Sequence, residues 1–426
     1  MNISINFSTK QKKSFSFIFI INKYLLCFLP LALVTGPLIP EAICIISIFV
    51  FLFLSIQNKD WKYYKNIFFY LLVLWSLYLI VSSLFSDDFS YSLESSLFYF
   101  RHGLFAISLW FMIDKDPRII KMFLLSLYII FFILIIDGFI QYFTGENIFG
   151  YPYNPNKARL SSFFGDEWIL GNYLSRLTPL LFALTFFTFL KPRKYLIILC
   201  SFVVAIDVLV YLTGERTAFF NLLLSLLLMI IFLNNFKKFR IATFLVSLIL
   251  ITLLSFFNEK IRYRMVDNSL NQINIFSDEY VADHELFLRS SIKMFIENPI
   301  TGIGPKMYRK LCNNENYYYS NELYNSCSTH PHNTYLQLLS ETGIIGFLFI
   351  LSIFIYFSYL LVKNLIGKIF TKKIFLSDMQ ICIIISILVN LFPLIPTLSF
   401  FNNWINIIYF LPIGFLLNTY NSKNKL

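Results

Sequence analysis

The sequence predicts an all-α, polytopic membrane protein with about 12 transmembrane helices and one large periplasmic loop. Of its 426 residues, 57% are hydrophobic, 51 are Phe, and only 14% are charged. A soluble protein of this length needs more polar surface to cover its core. Several apolar runs of about 20 residues are also long enough to cross a bilayer as helices.

Each span is located from its own apolar run. The predicted spans are 15–36, 39–57, 66–85, 92–113, 119–143, 168–190, 195–213, 216–235, 240–257, 333–362, 379–397 and 401–420. The tenth is longer than a bilayer requires, so we expect it to tilt or to extend into solvent. The first apolar stretch lacks a clear small-x-small site, so we expect no cleavable signal peptide.

Basic residues mark one side of the membrane. One set of loops is rich in Lys and Arg, whereas the short loops between them carry almost none. The positive-inside rule therefore places both termini in the cytoplasm and residues 258–332 outside. We expect a single membrane domain: nine spans in 1–257, a large periplasmic loop with short helices in 258–332, and three spans in 333–426. These topology signals account for most of the net charge of +11, which therefore does not indicate a nucleic-acid partner.

The large loop is polar and rich in tyrosine. Within it, residues 283–297 predict a short amphipathic helix lying on the membrane, which the sequence NPITGIGP at 298–305 ends. Cys312 and Cys327 both lie in this loop, and the other four cysteines lie in apolar spans. An oxidising compartment favours a Cys312–Cys327 disulfide, with two unpaired thiols as the alternative. No Cys/His spacing typical of a metal site is present in the sequence.

Two arginines are expected at the outer membrane surface. Arg159 lies in the outer loop 144–167, and Arg216 opens a span directly after the turn TGE. A guanidinium group suits phosphate because its planar fork donates paired hydrogen bonds and stays charged. The alternative for each is an arginine that merely contacts lipid headgroups.

Two further arginines lie deeper in the spans. Arg101 and Arg176 are expected to face the bundle interior, because a charge in the membrane is costly. Asp137, Asp207 and Glu341 are candidate counter-ions, and structural pairing is the favoured interpretation.

His332 stands where the large loop enters an apolar helix. A neutral imidazole there can accept a proton, as a general base must. Two alternatives remain open: His332 only orients a substrate, or it is a helix cap or polar surface residue. His330, two residues earlier, is expected to be an ordinary loop residue, and Asp87–Asp88 a solvated turn rather than a cation site.

These features together resemble the O-antigen ligase family, within the wider O-antigen ligase/polymerase superfamily. HNTYLQLLSETGIIG at 332–346 fits the pattern His-[Asn/Ser/Gln]-x9-Gly-x-x-[Gly/Thr/Tyr] without a gap. YLTGERTAFFNLLLS and ARLSSFFGDEWILGNYL are similar to the family's two arginine-containing stretches, and FIENPITGIGP resembles its Pro-x-x-Gly-x-Gly element. The resemblance covers residues from about 159 to 350.

The resemblance implies a type C, inverting glycosyltransferase that needs no metal and no cofactor. Such an enzyme, in the bacterial inner membrane, takes a glycan from undecaprenyl pyrophosphate at the periplasmic face, and a ligase passes it to the lipid A–core of lipopolysaccharide. By position, Arg159 and Arg216 would clamp the pyrophosphate and His332 would serve the acceptor. Asn333, the next residue of the same motif, is a candidate substrate-binding residue.

Three other functions compete with ligation. An O-antigen polymerase shares the donor but uses a second lipid-linked glycan as acceptor, and a protein O-oligosaccharyltransferase uses a protein hydroxyl. A transporter of lipid-linked sugars belongs to a different class. Transporters often show two repeated halves, and this sequence shows no such repeat, so an enzyme is favoured.

Overall fold

Helices make up the structure. The computed structural model describes residues 9–154, 157–188, 193–273, 283–320 and 324–423, and within them 75% of the structure is helical and no strand occurs. The α-helices are α1 Thr9–Ala32, α2 Leu38–Gln57, α3 Ile67–Ser83, α4 Phe89–Leu97, α5 Phe100–Lys115, α6 Arg118–Thr144, α7 Leu170–Thr188, α8 Arg193–Leu212, α9 Arg216–Phe232, α10 Lys237–Phe257, α11 Glu259–Arg262, α12 Asn268–Ile273, α13 Asp283–Glu297, α14 Tyr308–Leu311, α15 Thr334–Ile366, α16 Asp378–Asn390 and α17 Asn403–Lys423.

Several helices have the length and composition of membrane spans. In the described part of the chain, five are long and apolar enough to cross a membrane: Leu38–Gln57, Phe89–Lys115, Arg118–Thr144, Lys237–Phe257 and Thr334–Thr371. Large apolar side chains on their outer faces, such as Phe49 and Leu253, are exposed, as expected where helices meet lipid. The all-helical class and the membrane character are therefore confirmed. The number of twelve spans, their orientation and the periplasmic location of 258–332 stay predictions.

Two predicted spans differ from the structure. The span at 92–113 contains a turn, because α4 ends at Leu97 and α5 begins at Phe100, although Phe89–Lys115 taken together is long and apolar enough to cross a membrane. The span at 379–397 ends early, since α16 stops at Asn390 and residues 391–402 are not helical. Pro393 and Pro396 explain the early end, because proline lacks an N–H and disfavours helix at the residue before it.

The tenth predicted span contains a break. Gly343 has φ 62° and ψ −168°, which is not helical. The backbone N–H of Ile344 therefore donates to the carbonyl of Pro299, at 2.9 Å. The carbonyls left open, those of Ser340 and Glu341, accept the N–H groups of Ile303 and Gly304 at 2.9 and 3.0 Å. The segment 299–304 is thus hydrogen-bonded into the broken turn of α15.

The large loop contains the predicted helix at 283–297, which the structure confirms as α13. It packs against α15 and buries Phe287 and Met294 in a small second core. Cys312 belongs to the same core and is joined to Cys327 in a disulfide with a Cα–Cα distance of 4.9 Å. Residues 274–282 and 321–323 of this predicted loop, and 189–192 around the end of the predicted span 168–190, lie outside the described residues.

We expect Gly343→Ala to destabilise the protein more than Gly145→Ala. Both glycines have positive φ, 62° and 90°, and left-handed backbone costs a residue with a Cβ about 1–2 kcal/mol. A Cβ at Gly145 meets nothing within 4 Å, whereas one at Gly343 would lie under 3.0 Å from the backbone of Ile300 and Gly302. Thermal unfolding of the purified variants in detergent measures the difference. Equal loss of stability in the two variants would contradict the proposed constraint.

Candidate active site

The loop that carries Arg159 is fixed by two polar residues of α6. Asp137 accepts a hydrogen bond from the Ser162 hydroxyl, at 2.5 Å. The side-chain oxygen of Gln141 accepts the backbone N–H groups of Ser161 and Ser162, at 3.1 and 2.8 Å. All four of these residues are buried. Arg159, two residues before this clamp, therefore follows a defined backbone path.

Arg159 itself is half-buried beside an aromatic ring. Its backbone N–H and carbonyl both pair with Asn154, each at 3.2 Å, in a short antiparallel bridge. Its guanidinium carbon lies 5.8 Å from the ring centroid of Trp168, and the Lys157 ammonium lies 4.7 Å from the same centroid. Burial lowers the pKa of Arg159, and the positive charge of Arg216 lowers it further. The group nevertheless remains a cation at neutral pH.

Glu215 links the loop before α9 to the start of α7. Its buried carboxylate accepts the N–H groups of Gly171 and Asn172, at 2.6 and 3.2 Å, and the Asn172 side-chain amide at 2.7 Å. Burial raises the pKa of Glu215 to about 7, against the lowering effect of Arg159 and of these donors. A carboxylate at a helix N-terminus is a favourable arrangement, and it fixes the position of the next residue, Arg216.

Arg264 joins Arg159 and Arg216, although the sequence analysis did not identify it. Its Nε donates to the carbonyl of Gly214 at 2.7 Å. Gly214 has φ +67°, and a Cβ there would lie under 3.0 Å from the Ala158 carbonyl and from Arg264 Nε, so only glycine fits. Burial, followed by the positive charges of Arg159 and Arg216, lowers the pKa of Arg264 to about 10.

We name Arg159, Arg216 and Arg264 the arginine cluster. Glu215 is the one acidic residue whose charge acts on both Arg159 and Arg264 in the described part of the chain. Three guanidinium groups close enough for their charges to act on one another suit a polyanion such as a pyrophosphate. The sequence signal that could have identified Arg264 is the run RYR at 262–264, close behind the ninth predicted span.

His332 is held by its backbone. It has φ +53°, in the left-handed region, and its carbonyl accepts the N–H of Thr397 at 2.7 Å. Its Nε2 lies 3.1 Å from the Ser328 hydroxyl, and its ring lies 5.0 Å from that of Phe287. The side chain is half-buried. An imidazole in this setting can exchange a proton at Nε2 with a hydroxyl group.

His330 lies in the loop before α15, as expected, and it is also buried and hydrogen-bonded there. Its Nε2 donates to the Thr397 carbonyl at 3.0 Å. Its other ring nitrogen accepts from the Thr329 hydroxyl, also at 3.0 Å. Its ring centroid lies 4.3 Å from that of His332. Burial, then the charge of His332, lowers the pKa of His330 to about 4, so His330 stays neutral at pH 7.

Asn333 caps α15. Its side-chain oxygen accepts the N–H groups of Tyr335 and Leu336, at 2.9 and 3.0 Å. Its amide N–H donates to the carbonyl of Pro393 at 2.8 Å. The side chain therefore has a folding role: it starts α15 and ties that helix to residues 391–402. Its contact with substrate stays a prediction.

Packing connects the arginine cluster with the histidine region. Phe220, one turn after Arg216 in α9, lies 5.8 Å from Phe392, ring to ring. Phe392 precedes Pro393, whose carbonyl Asn333 binds. The start of α9 and the start of α15 are therefore held through one apolar contact and one hydrogen bond.

A buried polar network lies beneath these residues. Asn172, which binds Glu215, also accepts from Arg176 Nε at 3.4 Å. Arg176 Nη1 donates to Asn390 at the end of α16, at 2.6 Å. Thus Asn172 and Arg176 connect α7, the residue before α9 and α16; in the described residues Arg176 forms no ion pair, although the charge of Glu215 acts on it.

The predicted counter-ions have other partners. Arg101 pairs with Glu41 and donates to Asn403 at 2.8 Å. Among the candidates, Asp137 binds Ser162, Asp207 binds Ser247, and Glu341 binds Gln337. None of these three candidates forms an ion pair with Arg101 or Arg176 among the described residues, and the structural pairing favoured for Arg101 is with Glu41 instead. Among the described residues, no group of three His, Cys, Asp or Glu side chains could hold a metal ion.

The fold and the site define a class: a helical membrane protein in which an arginine cluster and a histidine pair are held by neighbouring helix ends. A protein-family model described as O-antigen ligase matches residues 200–351. This match confirms the resemblance found in the sequence and supports an O-antigen ligase family within the O-antigen ligase/polymerase superfamily. The family is associated with glycosyltransferase-like activity on a lipid-linked glycan and a lipid acceptor in general. A search of the curated proteins finds no match.

The matched segment contains most of the candidate site. Arg216, Arg264, His332 and Asn333 all lie within 200–351, and so does the break at Gly343. Arg159 lies before the matched residues.

We expect His330 to make the protein less stable as the pH falls from about 6.5 to about 4. In this window the unfolded chain binds a proton that folded His330, with its pKa of about 4, does not bind. Stability is therefore lost on acidification, by roughly 3 kcal/mol for a shift of this size. His330→Asn keeps an N–H donor for the Thr397 carbonyl but cannot titrate. Thermal unfolding between pH 7.5 and 4 should show a smaller difference between the variant and the wild type at low pH, and a constant difference would refute this assignment.

Proposed function

We propose that this protein transfers an O-antigen glycan from undecaprenyl pyrophosphate to the lipid A–core of lipopolysaccharide, at the periplasmic face of the bacterial inner membrane. The observation that carries the proposal is the arginine cluster, which the contacts of Phe220 with Phe392 and of Asn333 with Pro393 connect to the histidine region; Arg216, Arg264 and His332 lie inside the segment that matches the O-antigen ligase model. The arginine cluster suits a diphosphate leaving group, and His332 suits an acceptor hydroxyl.

The arginine cluster would act on the leaving group. In an inverting transfer, the bond between the anomeric carbon and the pyrophosphate oxygen breaks, and negative charge grows on that oxygen. Guanidinium groups fixed in advance, as Arg264 is by the Gly214 carbonyl, stabilise this charge without first reorganising. After burial, the positive charges of Arg159 and Arg216 lower the pKa of Arg264. A bound anion would therefore also reduce the repulsion among the three arginines.

His332 would act on the acceptor. The acceptor hydroxyl oxygen forms the new bond to the anomeric carbon from the face opposite the leaving group, and its proton passes to the imidazole. General-base assistance of this kind contributes about 10²–10⁴-fold to a rate. The hydroxyl of Ser328, at 3.1 Å from Nε2, marks a position at which a hydroxyl can meet His332. The proposed mechanism uses no metal ion.

We expect a strain that lacks this protein to make bare lipid A–core and to accumulate the lipid-linked polymer. The reason is that the acceptor is then never joined to an otherwise complete donor. Lipopolysaccharide resolved by gel electrophoresis, with and without the gene restored, measures this. A core that carries one repeat unit would instead indicate a polymerase. An unchanged ladder with loss of a glycoprotein would indicate transfer to protein.

We expect donor binding and transfer to separate between two variants. His332→Asn should nearly abolish transfer and leave donor binding close to normal, and asparagine tolerates the left-handed backbone of this position. Arg264→Ala should weaken donor binding by about 10–100-fold, the usual effect of losing a hydrogen bond to a charged group. Purified variants assayed for transfer, with donor binding measured separately, test both.

Arg262→Ala is the matched control for Arg264. Arg262 lies two residues earlier and approaches Glu259 and Asp267, at 3.8 and 3.7 Å, instead of the cluster. The Arg262→Ala variant should bind donor normally. Near wild-type transfer by His332→Asn would exclude His332 as the general base.

A further inference from the structure

A second pair of basic residues lies outside the arginine cluster. Lys306 and Arg309 follow the segment 299–304, which is bonded to the broken turn of α15. Among the described residues, neither side chain forms an ion pair, and Arg309 Nε is buried without a hydrogen-bond partner. The charge of Arg309 also acts on His330, so this pair belongs to the surroundings of the histidines.

The neighbouring acids do not neutralise this pair directly. Glu341 is buried, and its oxygens accept the backbone N–H of Tyr308 at 3.0 Å and the Gln337 amide at 2.9 Å. Glu94 acts on Lys306 only through its charge. By contrast, Lys310 is paired with Asp88 at 2.5 Å. Burial and the charge of Arg309 lower the pKa of Lys306, so a bound anion would stabilise the site.

An apolar cavity is lined by residues of α3 and α15, among others. It has a volume of about 110 Å³ and is lined by aromatic residues that include Trp75, Tyr99 and Phe349. On α3, Trp75 lines this cavity, while the Ser82 hydroxyl donates to the Thr301 carbonyl at 2.7 Å, in the segment just before Lys306. Seven residues of helix rise about 10 Å, so the cationic pair and the cavity lie in series along α3.

We infer that Lys306 and Arg309 bind a phosphate of the acceptor lipid, and that the aromatic cavity beside α3 receives part of its acyl chain. An anionic head joined to an apolar tail matches a cationic pair followed by an apolar cavity. An apolar cavity of about 150 Å³ binds benzene, so this one accommodates a short stretch of chain. The inference rests on the proposed function and adds that the acceptor must carry a phosphate.

The test compares two acceptors at saturating donor: phosphorylated lipid A–core and the same acceptor after enzymatic dephosphorylation. For the wild type, removing the phosphate should raise the acceptor KM by about 10–100-fold, with little change in kcat. The double variant Lys306→Asn, Arg309→Gln should show the high KM with both acceptors and normal donor binding. Asparagine suits position 306 because its φ is +62°.

Lys310→Gln is the matched control and should keep the discrimination between the two acceptors, because Lys310 is paired with Asp88 and lies 3.9 Å from the Tyr91 ring centroid. Equal use of both acceptors by the wild type would overturn the inference while leaving transfer itself intact, and this arm needs no variant to fold. Inhibition by phosphatidylglycerol vesicles in the wild type and not in the double variant would indicate a general anionic-lipid site and also overturn it. A wild type that transfers to neither acceptor would refute the proposed function itself.

Discussion

The exchange of backbone hydrogen bonds at Gly343 is the constraint that holds the segment 299–304, and the residues that follow it, against α15. A continuous α15 would satisfy the Ser340 carbonyl within the helix, and the segment 299–304 would have nowhere to bind. The break gives each segment hydrogen-bond partners in the other. It also explains two glycine motifs together, because a Cβ at Gly302 would meet the backbone of Glu341 and Thr342, and one at Gly343 would meet Ile300.

Arg159 and Arg216 depend on a different arrangement, in which buried polar side chains hold the loops and helix ends. Asp137 and Gln141 on α6 serve the loop with Arg159, and Glu215 serves the start of α7. Placing such groups in an apolar bundle is costly unless each is satisfied, and together they make at least six hydrogen bonds to loop or helix-end groups. The cationic side chains need this rigidity because like charges repel.

Much of the fold could be predicted from the sequence, because long apolar runs permit few structures in a membrane. The helix at 283–297 was located to the residue, since amphipathic spacing and the following Asn-Pro mark both its ends. The early end of α16 was missed because residues 391–402 are as apolar as a span, and only Pro393 and Pro396 signal the change. Arg264 was missed because its role depends on a fold that brings it to Gly214, fifty residues away in sequence. The true partners of Asp137 and Glu341 were missed for the same reason.

The disulfide between Cys312 and Cys327 fixes one distance within the segment 258–332. It holds the two cysteines 4.9 Å apart, Cα to Cα. Arg309 lies three residues before the first cysteine, and His330 lies three residues after the second. Residues 313–326 lie within the loop that this disulfide closes, so the cross-link, and not only the chain between the two cysteines, sets the distance between them. A change of length within this loop would therefore leave the residues next to Arg309 and His330 joined through the same short cross-link.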